Sequence, residues 1–129
     1  MAPGKPETVM WVTDVENNVG LMVYSAIQNP KVSLPAKYVS VHSDILPYGD
    51  IFKVWSEVTG RRCEYLPVEG KQWERIFGVF GKEMADQFRL NEVAPDWSKP
   101  YGKDVVTAKD LGVELMSLRQ ALEANKDML

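Results

Sequence analysis

The sequence predicts an α/β fold, a small and mainly parallel sheet of about three strands with helices packed on it. Short β-prone apolar runs alternate with stretches in which apolar residues recur at helical spacing. Their order is strand, helix, strand, helix, strand and then helices, and strands joined through helices favour parallel pairing.

Residues 9 to 12 are a short apolar run suited to a strand, and Asp14 follows as a good N-cap. From Asp14 to Asn29, Val15, Val19, Met22, Val23, Ala26 and Ile27 fall at the i, i+4, i+7, i+8 spacing of an amphipathic helix, which Asn29-Pro30 ends. Lys37 to Val41 reads as the second strand. Pro47 stands where a first-turn proline is tolerated, ahead of a helix whose stripe is Ile51, Val54, Trp55 and Val58 and whose end is Gly60. Arg62 to Val68 alternates in character and predicts a partly exposed strand. Trp73, Ile76, Phe77 and Phe80 form a third helical stripe, broken by Gly81, and Met84, Ala85 and Phe88 continue on a fourth helix. From Asn91 to Asp104 the chain has loop chemistry with Trp97 and Tyr101 inside it. Thr107 caps a short turn through Leu111, and Leu115, Leu118 and Leu122 mark a last helix.

A chain of 129 residues can bury roughly two-thirds of its unfolded surface around one core. We therefore expect a short disordered lead over residues 1–8, rich in Pro and Gly, and a single domain over residues 9–129. The lead has neither the apolar core of a signal peptide nor a basic amphipathic helix. With 45% hydrophobic and 26% charged residues the composition is that of a globular chain, without the long apolar run of a membrane span. A net charge of -3 argues against nucleic acid and anionic membrane surfaces as partners. Cys63 is the only cysteine, which excludes an internal disulfide and any multi-cysteine zinc site. A cytoplasmic location is the expectation.

Three stretches, in order, resemble the C-terminal, substrate-side half of NmrA-like proteins, a branch of the short-chain dehydrogenase/reductases with a Rossmann fold. They are Met10-Trp11-Val12-Thr13-Asp14-Val15, then Ile51 to Gly60 with its ending Ser56-Glu57-Val58-Thr59-Gly60, then Asp104-Val105-Val106 through Lys109-Asp110-Leu111-Gly112-Val113. The resemblance spans roughly residues 9 to 125. It implies that a cofactor half would precede Val9, with a glycine-rich turn to cradle a pyrophosphate. Gly49, Gly60, Gly70, Gly78 and Gly81 never fall into G-x-G-x-x-G spacing. We therefore expect no dinucleotide cofactor, no metal, and a homodimer that covers strand edges the missing half would pair.

Residues with usable chemistry are few. His42, the only histidine, follows a predicted strand at the end where α/β proteins place ligands, and Asp44 two residues on can orient it as a proton shuttle. A solvated loop histidine is the competing explanation. Tyr48 and Tyr101, in or beside loops, complete the candidate catalytic set. Trp97, Phe80, Met84 and Phe88 are the candidate lining of an apolar substrate site, with plain core packing the alternative for the Met and Phe stripes. Glu83 and Asp86 share a helical face, most simply as its solvated flank. A ligand half without a redox half suggests a cofactor-independent cyclase, isomerase or dehydratase acting on an apolar specialised metabolite. The alternatives are a non-enzymatic ligand- or protein-binding regulatory module, or a fragment that completes an NAD(P)-dependent oxidoreductase.

Overall fold

A computed structural model describes residues 1–34 and 38–129. Its elements in chain order are β1 (Ala2–Pro3), β2 (Val9–Val12), a π-helical turn (Val15–Val19) that runs into α1 (Gly20–Gln28), α2 (Pro30–Ser33), β3 (Tyr38–Val39), β4 (Asp44–Pro47), α3 (Tyr48–Thr59), β5 (Pro67–Val68), α4 (Gly70–Val93), β6 (Val105–Val106), α5 (Ala108–Leu111) and α6 (Leu118–Ala124). The fold is mixed α/β, as expected. The strands pair two by two, β1 with β5, β2 with β4 and β3 with β6, instead of joining one sheet. The β1–β5 and β3–β6 pairs are parallel.

Several local expectations are realised by their stated chemistry. The Asp14 side chain accepts the Glu16 N–H at 3.1 Å at the head of the π-turn. Gly60 ends α3 in the left-handed region, at φ 71°. Thr107 caps α5, in a capping box with Asp110. Not anticipated is a second capping box, Ser117 with Gln120, on α6.

Other elements differ. The strand expected over 62–68 is confined to Pro67–Val68, because Ser56 Oγ takes both the N–H and the carbonyl of Cys63 and so removes them from any ladder. The strand expected from Lys37 is Tyr38–Val39, and Lys37 lies outside the described residues. β4 was not expected at all. Ala2 and Pro3 pair with Pro67 and Val68, and Thr8 is buried.

The chain divides into two compact units. The first comprises Met1–Met10 and Leu46–Asp96, the second Trp11–Ile45 and Trp97–Leu129. In the second, Met22, Val106 and Leu111 are the buried centre, with Ala26, Val39, Val41 and Leu115 packed against it. In the first, Tyr48 stacks on Tyr65 and meets Phe88, while Phe52 meets Tyr65.

The break expected at Gly81 falls at Gly78, whose backbone is non-helical at φ 64°, ψ -145°. The break folds α4 back on itself. A straight helix would set residues 70 and 85 about 22 Å apart at about 1.5 Å per residue, yet a methyl group on Gly70 would lie 3.4 Å from Ala85 Cβ. Gly81 is instead where the second limb presses on the first: a methyl group there would stand 2.7 Å from the Trp73 carbonyl oxygen and 2.8 Å from Phe77 Cβ.

Candidate functional site

In the second unit, the parallel register Tyr38↔Val105 and Val39↔Val106 carries one step further, since the Ser40 N–H donates to the Val106 carbonyl at 2.8 Å. In an extended chain residues two apart face the same side, which brings Ser40 Oγ to 2.7 Å from His42 Nδ1. The His42 ring lies 4.4 Å from Trp11, Trp11 lies 5.4 Å from Trp97, Trp97 lies 6.2 Å from Tyr101, and Tyr101 lies 4.1 Å from Tyr38, all between ring centroids. His42, Trp97 and Tyr101 from the sequence-based set thus fall in one aromatic row, with Trp11 as the link between its two ends.

Partial burial lowers the His42 pKa from its ordinary 6.5. The ring is therefore neutral at pH 7. A depressed folded-state pKa means that the unfolded chain takes up the proton first as pH falls. This part of the stability is complete above 6.5 and is lost as pH drops toward the lowered folded value. Between pH 7.5 and 5.5 the melting temperature of the wild type is expected to fall further than that of His42→Gln, and equal falls would remove the effect.

Asp44 does other work. Its carboxylate accepts the Leu118 N–H at 2.7 Å and the Ser43 hydroxyl at 2.8 Å, which fixes the first turn of α6. The oriented nitrogen of His42 belongs to Ser40, not to Asp44. Sequence reasoning singled out neither Ser40 nor Trp11 as a site residue; the Ser-x-His spacing beside a strand was the available signal.

The remaining candidates lie in the first unit. Tyr48 is buried among Tyr65 and Phe88, and its hydroxyl accepts a hydrogen bond from Asn91 Nδ2 at 3.3 Å. Burial pushes its pKa up, against the donor from Asn91. Tyr65 is pushed up to about 12 by burial, with Tyr48 and Glu92 adding to it, and its hydroxyl donates to the Gly4 carbonyl at 3.2 Å. Both phenols stay protonated at neutral pH. Phe88 packs on Tyr48, Met84 is half-buried, and Phe80 is 67% exposed. A cleft of about 970 Å³ in this unit has Lys71, Arg75, Lys82, Asp86 and Arg89 in its walls, and none of Phe80, Met84 and Phe88. It is a charged groove, unlike the apolar lining expected of those three residues.

Among the described residues, no group of three or more His, Cys, Asp or Glu side chains could hold a metal ion. Within the same residues no helix is long and apolar enough to cross a membrane.

The chain matches the NmrA-like family over residues 1–96, well over half its length. It belongs to the NmrA-like family. The match takes in the first two of the three stretches that resemble the family, and the third, at 104–113, lies beyond it. No curated protein matches the chain.

Family members imply a dinucleotide, whose pyrophosphate needs free N–H groups at a strand-to-helix turn. The turns after β2 and β5 do not fit it. After β2 the Asp14 carboxylate occupies the helix start, and after β5 the Glu69 side chain accepts from the backbone within a capping box. An anionic cap where the phosphate would sit repels it.

Proposed function

We propose that the chain is a cofactor-independent enzyme of the cyclase, isomerase or dehydratase type, acting on an apolar, unsaturated small molecule at the His42 aromatic row. The observation that supports this most is a neutral histidine held through Nδ1 by a buried serine, with its ring against Trp11. Rearrangements that exchange no electrons with a cofactor need a shaped apolar surface, proximity and one group that exchanges or shares a proton. His42 supplies that group. Trp11, Trp97 and Tyr101 supply flat surface for a conjugated substrate, since aromatic rings favour stacked or edge contacts with one another.

The test is an assay for products of unchanged mass, or of mass reduced by one water, across a panel of polycyclic ketones and phenols without added nucleotide. For a converted compound, His42→Ala is expected to reduce turnover by about 100- to 1,000-fold, the usual contribution of one positioned hydrogen-bond donor. Undiminished turnover would remove His42 from the mechanism.

A second reading, a non-enzymatic binding module, has its own support. No residue of α1 is charged, and Val23, Tyr24 and Ile27 on its outer side are exposed. An uncharged helix that is apolar on more than one side suits a partner surface, a second copy included. Sedimentation at micromolar concentration reads self-association directly. Titration with NADP, alone and with candidate partners, separates both readings from a fragment that completes an oxidoreductase.

A further inference from the structure

Ser40 is 2% exposed, and its hydroxyl lies 2.7 Å from His42 Nδ1. A buried hydroxyl proton left without an acceptor costs about 1–3 kcal/mol, so folded proteins give such protons a partner. Among the described residues, His42 Nδ1 is the one side-chain acceptor bonded to this hydroxyl. The serine is itself held in place, because its N–H is bonded to the Val106 carbonyl at 2.8 Å beside the β3–β6 pair. The carboxylate nearest in sequence offers no competing arrangement, since Asp44 is taken up by Leu118 and Ser43.

An imidazole nitrogen that accepts a hydrogen bond carries no proton, and a neutral imidazole has one proton to place. It must then sit on Nε2. We infer that Ser40 is a positioning residue that fixes neutral His42 as the Nε2–H tautomer, so that His42 meets its substrate as a hydrogen-bond donor and not as a base. This rests on the proposed role of His42 and sharpens it.

The substrate class narrows accordingly. A neutral N–H donor set in a partly desolvated site acts best on an oxygen that gains negative charge during the reaction. Such an oxygen is the carbonyl of a ketone, enone or ester, and the adjacent aromatic row favours one conjugated with a planar system. His42 would polarise that carbonyl by donating Nε2–H to its oxygen, without itself changing protonation state. A catalytic histidine used in this way also has no need of an ionised carboxylate beside it, which agrees with the use of Asp44 at α6.

The single histidine makes the test direct. Long-range 1H–15N correlation spectra of uniformly labelled protein at pH 7.5 report its two ring nitrogens with no ambiguity of assignment. The expected result is one tautomer, protonated at Nε2 and unprotonated at Nδ1. Ser40→Ala is expected to move both nitrogens toward the averaged positions of a tautomer mixture, and Ser40→Thr, which keeps the hydroxyl, to restore them. A wild-type ring protonated at Nδ1 overturns the inference, as do spectra unchanged in a folded Ser40→Ala protein. The wild-type spectrum decides the tautomer even where Ser40→Ala does not fold. A fixed Nε2–H together with full turnover in His42→Ala would keep the tautomer and retire the catalytic reading, so the two failures are distinguishable.

Discussion

Gly78→Ala and Gly81→Ala are each expected to destabilise the first unit by about 1–3 kcal/mol, for different reasons. At Gly78 the cost is in the backbone. The pair φ 64°, ψ -145° lies in a region that residues with a Cβ rarely enter, and holding one there carries a strain of that order. At Gly81 the backbone is helical and the cost is steric. An added methyl group meets the Trp73 carbonyl oxygen at 2.7 Å, and that oxygen cannot swing aside as a side chain end can. The two limbs of α4 must separate, at the usual cost of overpacking. Gly20→Ala is the control, because Gly20 has helical dihedrals and nothing within 4 Å of its would-be Cβ. Alanine there is expected to be neutral or to stabilise by about 0.4–1 kcal/mol, through a less flexible unfolded chain and a better helix former. Thermal melts read all three, at about 2–8 °C per kcal/mol. Equal melting temperatures for wild type and Gly81→Ala would mean that the two limbs are not in contact.

The same hairpin shows where sequence reasoning reaches its limit. Local signals were legible: Asp14, Gly60 and Thr107 act within a few residues of where they stand. The apolar stripe of Trp73, Ile76, Phe77 and Phe80 read as one helix ending at Gly81, because spacing alone does not tell a glycine that turns the chain from one that lets two helices touch. Once the turn falls at Gly78, the spacing of Phe80, Met84 and Phe88 no longer guarantees a shared environment, and Phe80 is exposed while Phe88 packs on Tyr48. Parallel pairing hides in the same way. Nothing near Ala2–Pro3 announces a partner at Pro67–Val68, since the register is set by contacts far along the chain.

The candidate site was half legible on the same grounds. His42 stood out as a lone titratable ring after a strand, and Trp97 and Tyr101 as large aromatics in a loop. Their neighbours were not evident. Trp11 joins His42 to Trp97 only in the folded second unit. Asp44, two residues from His42, is the partner that sequence spacing suggests, but it is used 74 residues away at Leu118. A partly buried carboxylate takes the strongest donors available, and the unpaired N–H at a helix start is such a donor.

Asn18 is expected to be the most costly polar side chain to lose in the second unit. It is almost fully buried and bonds a distant backbone segment twice: its Nδ2 donates to the Met116 carbonyl and its Oδ1 accepts the Met116 N–H, each at 2.8 Å. The pattern copies a strand partner for one residue. Asn18→Leu fills similar space but leaves both Met116 groups without their partner, and an unpaired buried group costs about 1–3 kcal/mol. Several kcal/mol and a melting temperature lower by more than 5 °C are expected, about 2–4 °C per kcal/mol for a larger domain and more for a smaller one. Asn18→Asp separates the two bonds. A carboxylate can still accept from the Met116 N–H but faces the Met116 carbonyl with no proton, which favours its protonated form in the folded state. Its folded pKa is then raised, so the deficit against wild type is largest near pH 7.5 and shrinks as pH falls through that raised value. A deficit that stays constant from pH 7.5 to 4.5 would show that the bond to the carbonyl contributes nothing. The consequence reaches the site, because Met116 leads through Ser117 to Leu118, whose N–H rests on Asp44. Faster amide exchange at Leu118 in Asn18→Leu is the expected sign that this buried amide also steadies the segment next to His42.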